Sequence, residues 1–509
     1  MGSLVERHGA KIAGVLGCYD RIVITGTLPM LCHASGMATF MSMRHVRLFD
    51  YPKFCEPFRE QIRENAERVA RETGVDIEFM SKTSFRKDDR IAEVLAKRGD
   101  APGLVHILSA MEACQSYRPW HDKTTGRTML LPNPGKCLHY YFYFNDPEIG
   151  LCYIRVPTWA PFRLQIYYNG HNQLAEKLKA ARIAFRMLDN AFVEIADFSA
   201  AQRLSDDLDI ARLHAVLDKY AALCCPAAAA VEQQYHGSIM QVEYSTDVVF
   251  KRQADLKPVY DTITRTAVHA VKAEHIATFL GRKLNGNYTG EMGNNFSTRI
   301  EGTRIKHQMG PVSINMYDKR GIILRIETTA NDVSFFKHHR KVEQKNGEST
   351  YKLAPLRKYI YSLGDLRGLM SDANRRYLEF ISALEDPSAG TKALQKVAEP
   401  TAENGRNYRG FNFFSADDDL VLSAIVRGEF TISGLRNKDL RKYIPDRNPA
   451  WISRCMKRLR VHGLIKRIGK TYKHYVTELG RRVVITGLKL REMVIIPSLA
   501  TPSRTVAMA

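Results

Sequence analysis

Apolar residues in the first 200 positions follow two different periods, which predicts a mixture of strands and helices. A period of two, or a short apolar run between turn residues, predicts strands. These lie at 21–26, 75–80, 102–108, 136–144, 151–156 and 163–168. A period near 3.6 residues predicts helices over 54–73, 90–99 and 172–183. The pattern therefore predicts an α/β domain over residues 1–200.

The pattern changes after residue 200 and predicts a second, α+β domain over 201–385. Helical spacing dominates as far as residue 275, and strands return over 297–328 with a β-hairpin at 313–329. Asp318 and Gly321 stand at favoured positions of its turn. Residues 386–406 are polar, contain Pro and Gly and lack an apolar period, which predicts a linker.

The last hundred residues have the most regular order of predicted elements. Helices are predicted over 415–428, 435–444 and 450–463, a β-hairpin from 464–468 and 473–477, and a last helix over 478–493. Ser415 and Asn448 stand at N-cap positions, and Pro449 stands at a first helical position. This order predicts a winged helix-turn-helix domain over 407–500, followed by a tail at 501–509.

The positive charge of the chain is concentrated in this predicted domain. The formal net charge of the whole chain is +21. From Arg406 onward there are 21 Lys/Arg and 8 Asp/Glu, and from Pro449 to His474 there are eight Lys/Arg and no acid. A basic segment of this kind indicates a polyanionic partner, because contacts to phosphates dominate nucleic-acid affinity. The predicted contact residues are Ser453, Arg454, Lys457, Arg458, Arg460, Lys466, Arg467, Lys470 and Lys473.

The same segment resembles a known family. The stretch RLRVHGLIKRIGKTYKHYVTELGRR has HGLI before the predicted hairpin and T-x-x-G after it. It is similar to MarR-type winged-helix DNA-binding domains. The resemblance implies that the helix over 450–463 enters the major groove of DNA. RNA and proteins are alternative partners of such domains, and the last helix offers a surface for a homodimer.

Chemistry in the first 400 residues is a separate question, with two open answers. No Walker sequence and no G-x-G-x-x-G after a strand is present, so ATP or dinucleotide use is not indicated. A metal-dependent nuclease or strand transferase needs converging carboxylates that hold Mg²⁺ or Mn²⁺, and only such an enzyme would need those ions. Acids beside predicted strands are Asp20, Asp146, Glu148, Asp189, Glu301 and Glu327. The catalytic candidates among them are Asp20, Glu301 and Glu327, although ordinary structural roles remain open for each, such as an ion pair of Glu327 with Arg325 or Arg304.

Two further resemblances bear on function. The hairpin SINMYDKRGIILRIETT is similar to one in rolling-circle replication proteins, but the His-hydrophobic-His triplet that those enzymes need is absent from the sequence. The whole chain resembles a large bacterial family through LHYYFYF, YIRVPTW, MYDK and RIETT, and this resemblance implies no activity. The hypotheses are a mobile-element protein (transposase, nuclease or replication protein) and a non-catalytic DNA- or RNA-binding regulator or ribonucleoprotein scaffold.

The strand KCLHYYFYF admits two interpretations. Alternation places Cys137, His139, Tyr141 and Tyr143 on one face, which could stack unpaired bases beside Arg155 and Arg163. The favoured alternative is a strand that is buried on both sides. Nine scattered cysteines without a Cys-x-x-Cys pair, and the lack of a long apolar run, indicate a cytoplasmic protein without a membrane partner.

Overall fold

The protein is described by a computed structural model. The structure describes residues 2–81, 85–282, 292–299, 302–344, 347–383, 388–427, 429–430, 434–469, 471–496 and 499. The chain divides into two compact units, Met1–Glu385 and Asp386–Ala509. Glu301, Lys470 and the tail at 501–509 lie outside the described residues. No described helix has the length and apolar content that crossing a bilayer requires.

The first unit contains helices and strands throughout its length. Its helices are α1 (Gly2–His8), α2 (Ala34–Met43), α3 (Tyr51–Thr73), α4 (Lys87–Arg98), α5 (Gly170–Ala180), α6 (Phe198–Asp206), α7 (Ile210–Cys224), α8 (Ala227–Ala230), α9 (Gln253–Ala270), α10 (Ala273–Phe279) and α11 (Leu363–Ala383). Its strands are β1 (Ile12–Thr27), β2 (Ile77–Phe79), β3 (Gly103–Cys114), β4 (Tyr117–Asp122), β5 (Arg127–Pro132), β6 (Gly135–Asp146), β7 (Gly150–Pro157), β8 (Leu164–Tyr168), β9 (Phe185–Leu188), β10 (Ala191–Ile195), β11 (His236–Phe250), β12 (Met292–Arg299), β13 (Gly302–Met309), β14 (Val312–Lys319), β15 (Ile323–Ala330), β16 (Lys337–Glu343) and β17 (Ser349–Pro355).

One large sheet organises this unit. Eleven of the described strands form it in the order β12-β13-β14-β15-β11-β1-β8-β7-β6-β3-β2. The pairs are antiparallel except β2 with β3. Because β1 and β11 pair along almost their whole length, the domain boundary predicted at residue 200 is wrong. The helical prediction for 201–275 also fails at β11, where buried polar residues alternate with apolar ones.

The two faces of the sheet differ in polarity. One face is apolar and packs with helices into the main core, which includes Ile22, Phe142 and Ile326 from the sheet and Ile62 and Leu366 from helices. The period of two along each strand sends the intervening side chains to the opposite face. That opposite face is covered at three places by smaller apolar clusters, one with α5 and α6, one with α4 and one with β10. Between them the face is polar, and it holds the site described below.

The second unit has its own core, and its elements follow the predicted order from residue 416 onward. They are α12 (Ser388–Ala398), β18 (Thr401–Glu403), β19 (Arg406–Tyr408), α13 (Ala416–Ile425), α14 (Asn437–Arg441), α15 (Pro449–Val461), β20 (Ile465–Arg467), β21 (His474–Val476) and α16 (Glu478–Leu490). The Asn448 side chain accepts a hydrogen bond from the Trp451 N–H at the start of α15, as an N-cap does. The linker predicted at 386–406 is wrong for the described residues, because α12 buries Val397 in this core.

Candidate functional site

Charged residues from neighbouring strands meet on the polar face of the large sheet. Glu243 and Asp247 lie on β11, and Arg325 and Glu327 lie on β15. In the register of these strands, Ser245 is opposite Glu327 and Asp247 is opposite Arg325. Residues directly opposite each other share a face, and so do residues two apart along a strand. All five side chains therefore project from the same face.

Asp20 reaches this face through an irregularity in β1. Tyr19 pairs with Tyr244 and Arg21 pairs with Glu243, so Asp20 has no partner on β11. An extra residue of this kind is a β-bulge, which changes the direction of a side chain and is common beside functional sites. The Asp20 side chain is buried, with 4% of the residue exposed.

The Arg325 guanidinium binds two of the carboxylates. Arg325 is fully buried, and its Nε and Nη2 donate to the two carboxylate oxygens of Asp247 at 2.7 and 2.6 Å. Nη1 donates to Asp20 Oδ2 at 3.1 Å, and Nη2 also donates to the Asn190 carbonyl at 2.7 Å. Burial opposes ionisation of Asp20, but Arg325 and His171 hold its pKa well below the ordinary value.

The start of α5 supplies the other contacts to Asp20. The Asn169 side chain caps α5 by accepting from the His171 N–H at 2.8 Å, and its Nδ2 donates to Asp20 Oδ1 at 3.1 Å. His171 Nδ1 lies 3.3 Å from the same oxygen. Gly170 is required between them, because a Cβ there would lie 2.3 Å from the Tyr19 carbonyl oxygen. The sequence Asn-Gly-His thus fixes Asp20 through local backbone geometry.

Three carboxylates form the centre of the site, and we call Asp20, Glu243 and Glu327 the carboxylate cluster. One oxygen from each lies within 4.8 Å of the others. The Tyr317 hydroxyl donates to Glu327 Oε2 at 2.8 Å, and Asn315 Nδ2 donates to Oε1 at 3.2 Å. Burial, together with the charges of Asp20 and Glu243, raises the pKa of Glu327 to about 7.

The cluster has the properties of a cation site. Burial also raises the pKa of Glu243, although Arg21 lies 3.6 Å away and opposes that change. Asn315 is 1% exposed, and its Oδ1 has no hydrogen-bond partner among the described residues. Carboxylate and amide oxygens are the ligands that Mg²⁺ and Mn²⁺ prefer. A divalent ion would offset the repulsion among the carboxylates, so the residues present fit such an ion.

The catalytic candidates predicted from the sequence do not all lie at this site. Asp20 and Glu327 lie together, while Glu301 lies outside the described residues. The expected ion pair of Glu327 with Arg325 or Arg304 is not found among the described residues, because Glu327 instead accepts from Tyr317 and Asn315. Glu243 is not among the acids predicted from the sequence, although the alternation of polar residues in QVEYSTDV is a signal for it.

The remaining acids have structural roles. Asp146 accepts from two backbone N–H groups in its turn and from the Tyr220 hydroxyl. Glu148 forms an ion pair with Arg212, and Asp189 forms one with Arg320. These contacts explain their presence without any chemistry.

The aromatic strand β6 is buried on both sides, which confirms the favoured interpretation of KCLHYYFYF. Cys137, His139, Tyr141 and Tyr143 are all buried on the polar side of the sheet. Phe142 on the other side belongs to the main core. The β6 side chains are therefore not a surface on which unpaired bases can stack.

In the second unit, part of the predicted nucleic-acid surface is exposed. Ser453 and Arg454 on α15 are exposed, as are Lys466 and Arg467 on β20, while Lys473 is half-buried. Ser453 accepts a hydrogen bond from the Asn437 side chain at 2.7 Å, which joins α14 to α15.

The prediction that Arg458 lies on or beside a nucleic-acid groove is wrong. It is 8% exposed, and Nη1 and Nη2 donate to the two oxygens of Asp418 at 2.7 and 2.8 Å. Nε donates to the Arg409 carbonyl at 2.9 Å. Arg458 is therefore an internal ion-pair partner that holds α15 against α13.

Lys457 and Arg460 also have an acidic neighbour that the local sequence does not reveal. Arg460 Nη2 lies 3.1 Å from both carboxylate oxygens of Glu403, and Lys457 forms an ion pair with the same carboxylate. The segment from Pro449 to His474 contains no acid, but the fold brings Glu403 beside it. Both cations are half-buried.

Comparison with models of protein families, with curated proteins and with solved structures found no match to this chain. The mixed α/β character of the chain is confirmed by the large sheet and its helices. The resemblances to MarR-type domains and to a bacterial family stay predictions.

Proposed function

We propose that this protein binds nucleic acid and cleaves or transfers its phosphodiester backbone with a divalent metal ion held by the carboxylate cluster. The observation that carries the proposal is the convergence of Asp20, Glu243 and Glu327 on the polar face of the sheet. Two or three carboxylates around a divalent ion are the recurrent arrangement in enzymes of this reaction class.

The surrounding residues have separate roles in this proposal. Glu327 is the ligand least committed to other cations, because Asp20 already binds Arg325 and Glu243 lies 3.6 Å from Arg21. Arg325, Asn169 and His171 are positioning residues that fix Asp20. A bound Mg²⁺ or Mn²⁺ supplies Lewis acidity toward a phosphoryl oxygen. Arg21, which lies beside Glu243 and is exposed, is placed to attract the negative substrate.

The second unit is proposed as a winged-helix module that binds duplex DNA. Support comes from the order α13, α14, α15, the hairpin β20–β21 and α16, and from a bridge that pairs Leu435 with His474 beside the hairpin. Arg454 on α15 and the hairpin residues Lys466, Arg467 and Lys473 are the proposed contacts. RNA remains the alternative nucleic acid.

A metal-binding and cleavage assay tests the catalytic proposal. Manganese binding to the full chain is measured by calorimetry, and labelled single-stranded DNA, duplex DNA and RNA are incubated with Mg²⁺ or Mn²⁺. Glu243→Gln should abolish cleavage and weaken Mn²⁺ binding, since it removes one charged ligand and preserves the shape. Glu64→Gln on the exposed surface of α3 is the matched control. Full Mn²⁺ binding by Glu243→Gln would contradict the proposed site.

The second candidate is a binding protein without catalysis, favoured by the many structural contacts of Asp20. It predicts retarded nucleic acid with no cleavage at any metal concentration, and no Mn²⁺ binding that depends on Glu243. The same assay therefore separates the two candidates. Strand transfer instead of hydrolysis, as expected of a mobile-element protein, would appear as joined products when two labelled duplexes are supplied.

The winged-helix proposal has its own test. Arg454→Ala and Lys473→Ala should each weaken duplex binding and reduce the slope of log affinity against log salt by about one, because each removes one phosphate contact. Arg182→Ala in the first unit is an exposed charge-matched control. An unchanged salt slope in both variants would contradict this assignment.

A further inference from the structure

A second polar feature lies on the same face of the sheet as the carboxylate cluster. It is a cavity of about 260 Å³ whose lining includes Thr25, Arg155, Arg163 and Gln165. Thr25 is opposite Gln165, and Gln165 is opposite Arg155, so these three side chains form one row across β1, β8 and β7. The cavity is smaller than the roughly 300–1,000 Å³ of drug-sized pockets, so it can hold a phosphate with part of a nucleotide but not a duplex.

One buried donor in the lining of this cavity belongs to Arg163. Its Nε is buried and makes no hydrogen bond with the described residues. Arg155, by contrast, is bound to Glu112 at 2.8 Å and to the Tyr141 hydroxyl at 3.0 Å. Buried donors are nearly always satisfied in folded proteins. A phosphate oxygen from outside the chain would satisfy this one, because a guanidinium matches phosphate in charge and geometry.

Two tyrosines lie between the cavity and the carboxylate cluster. Tyr153 and Tyr167 are directly opposite each other on β7 and β8, and their rings are stacked with centroids 5.0 Å apart. Both are half-buried, and the Arg21 guanidinium lies 5.7 Å from the Tyr167 ring centroid. Tyr153 also packs against two buried tyrosines of β6, so the side of Tyr167 toward Arg21 is where an unpaired base can stack, whichever base it is.

The three features follow one another along β1. Arg21 is opposite Glu243, Val23 is opposite Tyr167, and Thr25 is opposite Gln165 in the cavity row. At about 3.3 Å per residue, the cavity row is roughly 13 Å from the Arg21 row. That distance spans about four nucleotides at the ~3.4 Å rise of a stacked strand.

We propose that Arg21, Tyr153, Tyr167 and Arg163, here called the strand track, bind a single-stranded polynucleotide. One end of that polynucleotide lies at the carboxylate cluster. The inference rests on the proposed function, and it adds the substrate class: an unpaired strand, with bases on the tyrosines and a phosphate at Arg163. The second unit would then bind duplex while the first unit binds unpaired nucleotides.

Fluorescence anisotropy of the full chain tests the strand track. A labelled short oligothymidylate is titrated in EDTA with saturating unlabelled duplex, which occupies the second unit, and an oligouridylate arm distinguishes RNA from DNA. Arg163→Gln and Tyr167→Leu should each weaken binding on the order of tenfold, through loss of a phosphate contact and of a stacking surface. Tyr167→Phe, which keeps the ring, and Arg71→Gln, exposed on α3, are the matched controls and should bind as the wild type does.

Photocrosslinking of a bromodeoxyuridine oligonucleotide to the wild-type chain provides a readout that does not depend on a folded variant. Crosslinks in the peptides that carry Tyr153 or Tyr167 support the strand track. Wild-type affinity in both test variants, or crosslinks confined to other peptides, overturns it. Manganese calorimetry is run on the same samples: crosslinks to the tyrosines without Mn²⁺ binding would overturn the metal chemistry and uphold the strand track.

Discussion

Replacing Glu327 with glutamine should stabilise the metal-free protein at alkaline pH. Burial and the charges of Asp20 and Glu243 raise the pKa of Glu327 from 4.5 to about 7. Protonated Glu327 therefore favours the folded state; this contribution is complete below pH 4.5 and is lost as the pH rises through 7. At ~1.36 kcal/mol for each pH unit between the two values, ionisation costs the folded protein about 3 kcal/mol. Glutamine has no such cost.

The melting temperature of the first unit measures this difference. Trp120 and Trp159 lie in the first unit, so fluorescence in a Trp451→Phe background reports on that unit alone. For 385 residues at ~2.1 cal/mol/K each, about 3 kcal/mol corresponds to a shift of roughly 4 °C. In EDTA, Glu327→Gln should melt about 4 °C above the parent at pH 8 and almost with it at pH 4.5.

Manganese should reverse the order of the two melting temperatures at pH 8. Binding to the folded state alone adds about 2.7 kcal/mol at a hundredfold excess over Kd, and the parent gains it because ionised Glu327 is a ligand. Glu327→Gln should gain much less, and Glu64→Gln on the surface should behave as the parent does. A difference between Glu327→Gln and the parent that does not vary with pH would refute the argument from burial and repulsion. Equal stabilisation of both by Mn²⁺ would refute the assignment of Glu327 as a ligand.

Three further predictions concern other parts of the chain. Asp418→Asn should destabilise the second unit by about 3–5 kcal/mol, since it removes the charge that pairs with buried Arg458, and the fluorescence melt of Trp451 measures it in a background where Trp120 and Trp159 are replaced by Phe. Glu403→Gln should tighten duplex binding several-fold at low salt by freeing two half-buried cations on α15, and a parallel Glu429→Gln titration serves as control. Gly170→Ala should lower the melting temperature of the first unit and weaken Mn²⁺ binding, because its Cβ would lie 2.3 Å from a carbonyl oxygen of β1.

The local sequence pattern was sufficient to predict the structure wherever residues close in sequence determine it. Although α1, α2, β4, β5, β9 and β10 were not predicted, the structure confirms the six strands and three helices that were predicted in the first 200 residues, the Asp318–Gly321 turn and the element order from residue 416 onward. In each case the determinant is a period, a cap or a turn residue within a few positions. Asp20 and Glu327 could be proposed as candidates because each lies in or beside a recognisable strand.

The local sequence pattern could not predict which distant segments of the chain pair with each other. Arg325 and Asp20 are 305 positions apart, and their contact depends on the pairing of β1 with β11 and of β11 with β15. In β11 the buried Asp247 interrupts the apolar signal that marks a strand, so Glu243 was missed. Arg458 reads as one more surface cation because its partner Asp418 is 40 positions away on another helix.

The balance of charge differs between two buried ionic groups among the described residues. In the second unit, one buried guanidinium meets one carboxylate: both oxygens of Asp418 accept from Arg458, and the exposed Arg409 adds a longer contact at 3.4 Å. That pair is complete, and its effect is to hold two helices together. A further cation would find no free carboxylate oxygen among the described residues there.

The first unit is different, because one buried guanidinium faces more than one carboxylate. Arg325 binds Asp247 and Asp20, Arg21 lies 3.6 Å from Glu243, and the charge of Lys319 also acts on Asp20 and Glu327. These cations do not offset burial and repulsion at Glu327, whose pKa is raised to about 7. A site that served only the fold would be more stable with an apolar or amide side chain at this position. A buried carboxyl that is costly to ionise, beside the unpartnered Oδ1 of Asn315, is therefore better explained by a cation that binds there than by the stability of the sheet.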